Sequence, residues 1–158
     1  MSQVNFSELT GSLLFKGMAT REIEYLSSIF TLSQVPEGKT VFIENMPGES
    51  LYLIKQGTVQ VSQMLAEVDE QALVTLGAGD LFGEMAVIDG ANRTVTARIT
   101  KNAVLYSLNR KNFNTLVSEN PRLGLQLTLN IVRIFSAKIR STKKDYRTML
   151  TASLARQG

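Results

Sequence analysis

The sequence predicts an α+β fold. An antiparallel β barrel or roll, at about residues 31–109, lies between a short N-terminal helix and C-terminal helices at about 110–151. Three observations carry this prediction. Between Thr31 and Asn109, short β-like runs follow one another, separated by turn residues. Seven of the eleven glycines fall in or beside those turns: Gly38, Gly48, Gly57, Gly77, Gly79, Gly83 and Gly90. After Asn109 the apolar period lengthens to that of helices. The 158 residues (1–158) read as a single domain, long enough to bury most of its apolar surface on folding.

Taken in order, Thr20 reads as the cap of a short helix, with Arg21 and Glu22 in its first turn and Ile23, Leu26 and Phe30 on one face. Seven β runs follow: Leu32–Val35, Thr40–Ile43, Leu51–Lys55, Thr58–Gln63, Ala72–Leu76, Thr94–Ile99 and Val104–Leu108. The only helical interruption is one turn over Met85-Ala86-Val87-Ile88, inside the β region, where a ligand cradle belongs. Arg110 to Val117 reads as a short helix. Asn120-Pro121 then starts a long one, with Asn as N-cap and Pro at the first helical position, running to about Thr151. At 1.5 Å per residue that helix is roughly 45 Å long. Leu125, Leu129, Val132, Ser136, Ile139, Lys143, Tyr146 and Leu150 form a heptad-like seam, to be packed on the roll or on another helix. A second stripe, Leu127, Ile131, Ile134 and Phe135, indicates that both are contacted.

The chemistry concentrates in Phe82-Gly83-Glu84-Met85-Ala86, followed nine residues after Glu84 by Arg93-Thr94. Glycine lets the backbone approach a ligand closely. The first N–H groups of the turn after it have no intrahelical partner. Arg93 can clamp a phosphate with two parallel charge-assisted hydrogen bonds. Glu84 repels a phosphate, and its natural partner is a hydroxyl. Together these are the parts needed for a small ligand bearing a phosphate and a free ribose hydroxyl. The competing reading of Arg93 is a surface arginine paired with Asp89; that of Glu84 is an exposed acid after a turn glycine.

This segment resembles the phosphate-binding cassette of the cyclic-nucleotide-binding domain family, which includes the catabolite activator protein, protein kinase A regulatory subunits and cyclic-nucleotide-gated channels. Further landmarks stand in family order: Leu14-Phe15-Lys16-Gly17-Met18, Pro36-Glu37-Gly38-Lys39, Pro47-Gly48-Glu49-Ser50-Leu51-Tyr52-Leu53-Ile54 and Gly57-Thr58-Val59-Gln60-Val61. The resemblance covers roughly residues 12 to 150. It implies an antiparallel, jelly-roll-like β-roll with a short N-terminal helix, a phosphate-binding-cassette helix and a long C-terminal helix. It also implies a cAMP or cGMP ligand and no separate cofactor. By the same resemblance Arg93 binds the cyclic phosphate, helped by the N–H groups of Gly83 to Ala86. Glu84 accepts the ribose 2′-hydroxyl, Thr94 adds a hydroxyl contact, and Val61, Leu73 and Met85 line the base pocket. Plain roll core is the alternative for those last three. Lys138 and Thr142 are equal candidates to cover the base. Asn92, Val95 and Thr96-Ala97 depart from the family pattern, and Val95 can narrow the pocket.

Composition narrows the functional classes. A hydrophobic share of 44% with 20% charged residues is a globular balance. There is no cysteine and no histidine, which removes thiol catalysis, thiolate metal sites and the commonest general base and zinc ligand. No nucleophile–base pair and no metal cluster can be assembled, so an enzyme is not expected, nor any catalytic or metal-binding residue. The N-terminus lacks a signal-peptide pattern, and the uncharged stretch Leu123–Val132 is far short of the ~20 residues of a membrane span. A cytoplasmic protein is the expectation. The net charge of +3 is uneven: from Ile131 onward seven basic residues face the single acid Asp145, giving +6, so residues 1–130 carry −3. A solvated helix face is preferred here over an anion-binding surface, because no aromatic residues interleave with the charges.

The expected function is a stand-alone cyclic-nucleotide receptor module. Ligand would draw the long helix closed about a hinge before Pro121, and the helix would form a homodimer and signal to an unidentified effector protein. No direct DNA binding is expected, since the chain stops at Gly158 without room for a helix-turn-helix. The alternative is a degenerate dimeric scaffold with the same fold and no ligand.

Overall fold

The computed structural model describes residues 3–155, without the side chains of Lys143, Lys144, Tyr146 and Met149. The predicted α+β architecture is present as an antiparallel β-roll flanked by helices. Two short 3-10 turns, Ser7–Leu9 and Leu13–Phe15, precede α1 (Thr20–Ile29). The strands are β1 (Thr31–Val35), β2 (Thr40–Phe42), β3 (Ser50–Ala66), β4 (Asp69–Leu76), β5 (Leu81–Phe82) and β6 (Thr96–Asn109). Helix α2 (Glu84–Asp89) interrupts the roll between β5 and β6, and α3 (Arg110–Glu119) and α4 (Pro121–Ala155) close the chain. The sheet runs β1-β6-β3-β4, with β2 also on β6 and β5 also on β3, every pair antiparallel.

Several boundaries differ from the sequence reading. Leu51–Lys55 and Thr58–Gln63 are one strand, β3, and the last two β runs are likewise joined in β6. Gly57, read as a turn, is a strand residue at φ +92°, where the β3–β6 register shifts repeatedly. A Cβ there would collide with the backbone of Lys101 to Ala103, so glycine marks a bulge and a close strand approach rather than a reversal. The N-cap of α1 is Ala19, not Thr20: the Glu22 carboxylate reaches back to the Ala19 N–H at 2.7 Å. Asn120 does cap α4, its Oδ1 accepting from the Leu123 N–H. With no Pro or Gly between Gly124 and Ala155 to break it, α4 continues past Thr151 to Ala155.

Two apolar clusters organise the interior. One fills the roll, with Ile54, Val59, Val61, Phe82, Ala97, Ile99 and Leu105. The other joins the roll to the helices through Phe6, Phe15, Leu26, Tyr106, Phe113, Leu123, Leu127 and Ile131. The α4 stripe that packs is therefore the second one, Leu127–Ile131–Ile134, because it continues the face carrying Leu123. On the heptad-like seam, Leu125, Leu129, Val132, Ile139 and Leu150 are exposed; the side chains of Lys143 and Tyr146 lie outside the described residues. Among the described residues, no helix is long and apolar enough to cross a membrane.

Candidate functional site

The site forms where β5 turns into α2. Phe82 pairs with Tyr52 of β3, and the chain then turns at Gly83 with φ +74°. That left-handed conformation suits glycine. A Cβ at Gly83 would lie 2.7 Å from Arg93 Nη1 and 3.1 Å from the Ser50 carbonyl. Gly48 is equally constrained, since a Cβ there would overlap that of Ala86 and approach Arg93 Nε to 2.8 Å. Gly83→Ala is expected to destabilise the fold by roughly 1–3 kcal/mol through backbone strain. It should also weaken ligand binding by displacing Arg93, as a melting curve and a titration of the same sample would show.

Arg93 is fixed from both sides of its backbone: its N–H donates to the Met46 carbonyl and its carbonyl accepts from the Asn45 N–H, each at 2.8 Å. Its side chain is turned inward and only 6% exposed. Nη1 donates to the Gly83 carbonyl at 3.0 Å and Nη2 to the Ser50 carbonyl at 2.8 Å. The guanidinium lies over the Phe42 ring, 4.0 Å from its centre, in a cluster where Phe42, Tyr52 and Phe82 pack on one another. Nε is buried without a hydrogen-bond partner. Burial lowers the pKa of the guanidinium from its usual value, while Tyr52 and Glu84 act in the opposite direction. It remains a cation all the same. The surface pairing with Asp89 is thereby overturned, since Arg93 is buried and Asp89 Oδ1 instead accepts from the Ala91 N–H.

Glu84, the first residue of α2, is 7% exposed rather than the exposed acid of the alternative reading. It is near enough to Arg93 to act on its charge, yet its ion pair is with Lys138 of α4, Nζ to Oε1 at 3.2 Å. Lys138 Nζ also donates to the Leu81 carbonyl. Lys138 and Thr142 are thus no longer equal candidates: Lys138 is on the cassette, whereas Thr142 is exposed and its hydroxyl donates back to the Lys138 carbonyl.

Of the other expected site residues, Ala86 is buried against Gly48, while Met85 and Thr94 are exposed beside the turn and loop that carry Glu84 and Arg93. Val61 is in the roll core. Leu73 is 52% exposed and has no partner in the β3–β4 register, being the extra residue of a bulge between Val61–Val74 and Ser62–Ala72, so plain roll core does not describe it. The sequence reading did not assign Phe42, Gly48, Ser50 or Tyr52 to the site. The signal for three of them was the Pro47-Gly48-Glu49-Ser50 run with Tyr52 behind it. An open cleft of about 820 Å³ lined by Glu49, Asn109, Arg110 and Ser118 lies elsewhere, beside α3, and contains neither Glu84 nor Arg93. Its cations are exposed, so it lacks the buried charge that marks the cassette.

Comparison with known proteins places this geometry in context. A profile of the cyclic nucleotide-binding domain matches residues 32–120. The cyclic AMP receptor protein of Thermus thermophilus is 31% identical over 125 residues, which span 79% of this chain and 58% of that one. A cyclic nucleotide-binding domain from Methylobacillus flagellatus superposes with a TM-score of 0.83 at 25% identity, covering 89% of this chain and 81% of the other. The regulatory domain of Toxoplasma gondii protein kinase A, crystallised with cAMP, gives a TM-score of 0.61 at 26% identity, over 68% of this chain and 41% of that one. The chain therefore spans little more than half the length of the Thermus receptor it matches.

Proposed function

The chain belongs to the cyclic nucleotide-binding domain family, related to catabolite activator proteins and protein kinase A regulatory domains, and on that premise we propose that it is a receptor module for a 3′,5′-cyclic nucleotide, cAMP or cGMP. The observation that carries this reading is the buried Arg93, its Nε unpartnered, beside a buried carboxylate on the adjoining helix. Burying an ion is costly unless something compensates it, and two carbonyls and an aromatic ring do so only in part. A phosphate completes the compensation. The resident chemistry then divides by charge: Arg93 and the N–H groups from Gly83 to Ala86 take the phosphate, and Glu84 takes the ribose hydroxyl. Thr94 supplements the phosphate contact, and Val61, Leu73 and Met85 flank the base. That the Toxoplasma and Thermus relatives are described as cAMP proteins supports cAMP as the first nucleotide to try.

In this reading the output is mechanical. Ligand contacts on α2 bias the position of α4, and they do so only by the difference in affinity between two arrangements. The apolar seam of α4, with Leu125, Leu129, Val132 and Ile139 exposed, supports a homodimer that presents the switch to an effector protein.

Glu84 provides the direct test of the ribose assignment. A hydroxyl donating to a buried carboxylate is worth about 1.5–3 kcal/mol. Release of the partly exposed Lys138 pair offsets up to about 1 kcal/mol of that. Wild-type protein should therefore prefer cAMP to its 2′-deoxy analogue by roughly twofold to 150-fold, and Glu84→Ala should abolish that preference. An unchanged preference in Glu84→Ala would remove Glu84 from the ribose site.

A further inference from the structure

The charge on Glu84 is already spoken for inside the protein. Lys138, from the middle of α4, donates to Glu84 Oε1 at 3.2 Å and to the Leu81 carbonyl, bridging both sides of the turn at Gly83. Any ribose hydroxyl brought to this carboxylate must share it with an ammonium or displace it. We infer that Lys138 is an intramolecular competitor for the hydroxyl acceptor of the site: the Lys138–Glu84 pair tethers α4 to the cassette, and a ligand hydroxyl that engages Glu84 releases that tether. The inference rests on the assignment of Glu84 as the hydroxyl acceptor.

Two features make the exchange physically reasonable. The lysine side chain is 35% exposed against 9% for Glu84, so the ammonium can return to water at little cost while the carboxylate cannot. The carboxylate therefore always needs a donor, and the ammonium does not always need an acceptor. Secondly, the anchoring of α4 thins out after its first three turns. Leu123, Leu127, Asn130 and Ile131 are buried, but no described side chain beyond Ile131 is. A tether at Lys138, seven residues further on and roughly 10 Å along the helix, therefore carries a large share of the docking of that segment. Releasing it alters α4 without disturbing the packed half of the helix.

The sign of the effect separates a competitor from a ligand contact. Lys138→Met keeps the length of the side chain and its apolar stem but removes the ammonium. It should bind cAMP about two- to fivefold more tightly than wild type, because the free protein loses the donor that Glu84 otherwise keeps. The gain should be confined to ribonucleotides, so the preference for cAMP over 2′-deoxy-cAMP widens, and Lys138→Arg should stay close to wild type. Equal or weaker cAMP binding in Lys138→Met would overturn the inference. Amide hydrogen exchange on protein without nucleotide tests the tether independently: residues 134–142 should exchange faster in Lys138→Met, and unchanged exchange there would refute it. If wild-type protein binds no cyclic nucleotide at all, the receptor reading and the competition fall together, and the exchange result still decides whether the tether holds α4.

Discussion

Replacing Arg93 by alanine should weaken cyclic-nucleotide binding by about 2–5 kcal/mol, roughly thirtyfold to several thousandfold. The size follows from the surroundings. The guanidinium is held by Gly83 and Ser50 carbonyls and by the Phe42 ring, so it meets a phosphate already oriented and already stripped of water. Arg93→Lys restores the charge without the planar fork, and should recover only part of the loss. The variant is expected to stay folded, because two consequences oppose each other. The carbonyls of Gly83 and Ser50 lose donors, while a desolvated cation leaves the interior. A melting curve on the titrated sample establishes that. Binding by Arg93→Ala within threefold of wild type would remove Arg93 from the site.

Asn130→Ala should instead strike the fold. Asn130 is 0% exposed, and its amide nitrogen donates to the carbonyls of Leu14 and Lys16, 2.9 Å each. Its Oδ1 accepts from Gln126 and Arg133. This one side chain thus stitches the N-terminal segment to α4, while the ion pair of Arg122 with Glu22 separately links α4 to α1. Truncation leaves the Leu14 carbonyl without this donor, while Lys16 keeps Gln126. With the small cavity added, the expected loss is about 2–4 kcal/mol, a fall of roughly 5–15 °C in Tm for a chain of this size. Affinity measured well below the transition should change by less than threefold, since the hydrogen bonds of Asn130 go to Leu14, Lys16, Gln126 and Arg133 rather than to the cassette. A Tm within 2 °C of wild type would show that the amide is replaced by other donors.

The contrast between these two residues also shows what the sequence could disclose. Gly83, Glu84 and Arg93 are separated by at most ten positions, and their chemistry is local: a left-handed turn, a carboxylate and a fork on neighbouring elements. The β runs were legible because alternation and turn residues are local too. Phe42 and Lys138 come to the site from 40 or more residues away, through strand register and helix docking; nothing along the chain points to Phe42, and spacing alone could not separate Lys138 from Thr142. Gly57 misled for a physical reason: one residue type serves both tight turns and close strand approaches, and only the neighbouring β6 backbone distinguishes them. Leu73 fell on a bulge, where one extra residue upsets the alternation that would assign its face. On α4, two apolar stripes were visible, but which one packed inward depended on Leu123 and Leu127 entering the cluster that also holds Phe15 and Phe113.

The central claim is that Arg93 and Glu84 together hold a cyclic nucleotide, and a calorimetric titration of the full chain with cAMP and cGMP tests it most directly. The expected result is saturable binding of one nucleotide per chain. It should be accompanied by a rise in Tm of roughly 5–10 °C at a hundred times Kd, corresponding to about 2.7 kcal/mol. No heat and no shift with either nucleotide at millimolar concentration would contradict the claim, and would leave the fold as a scaffold whose buried arginine serves structure alone.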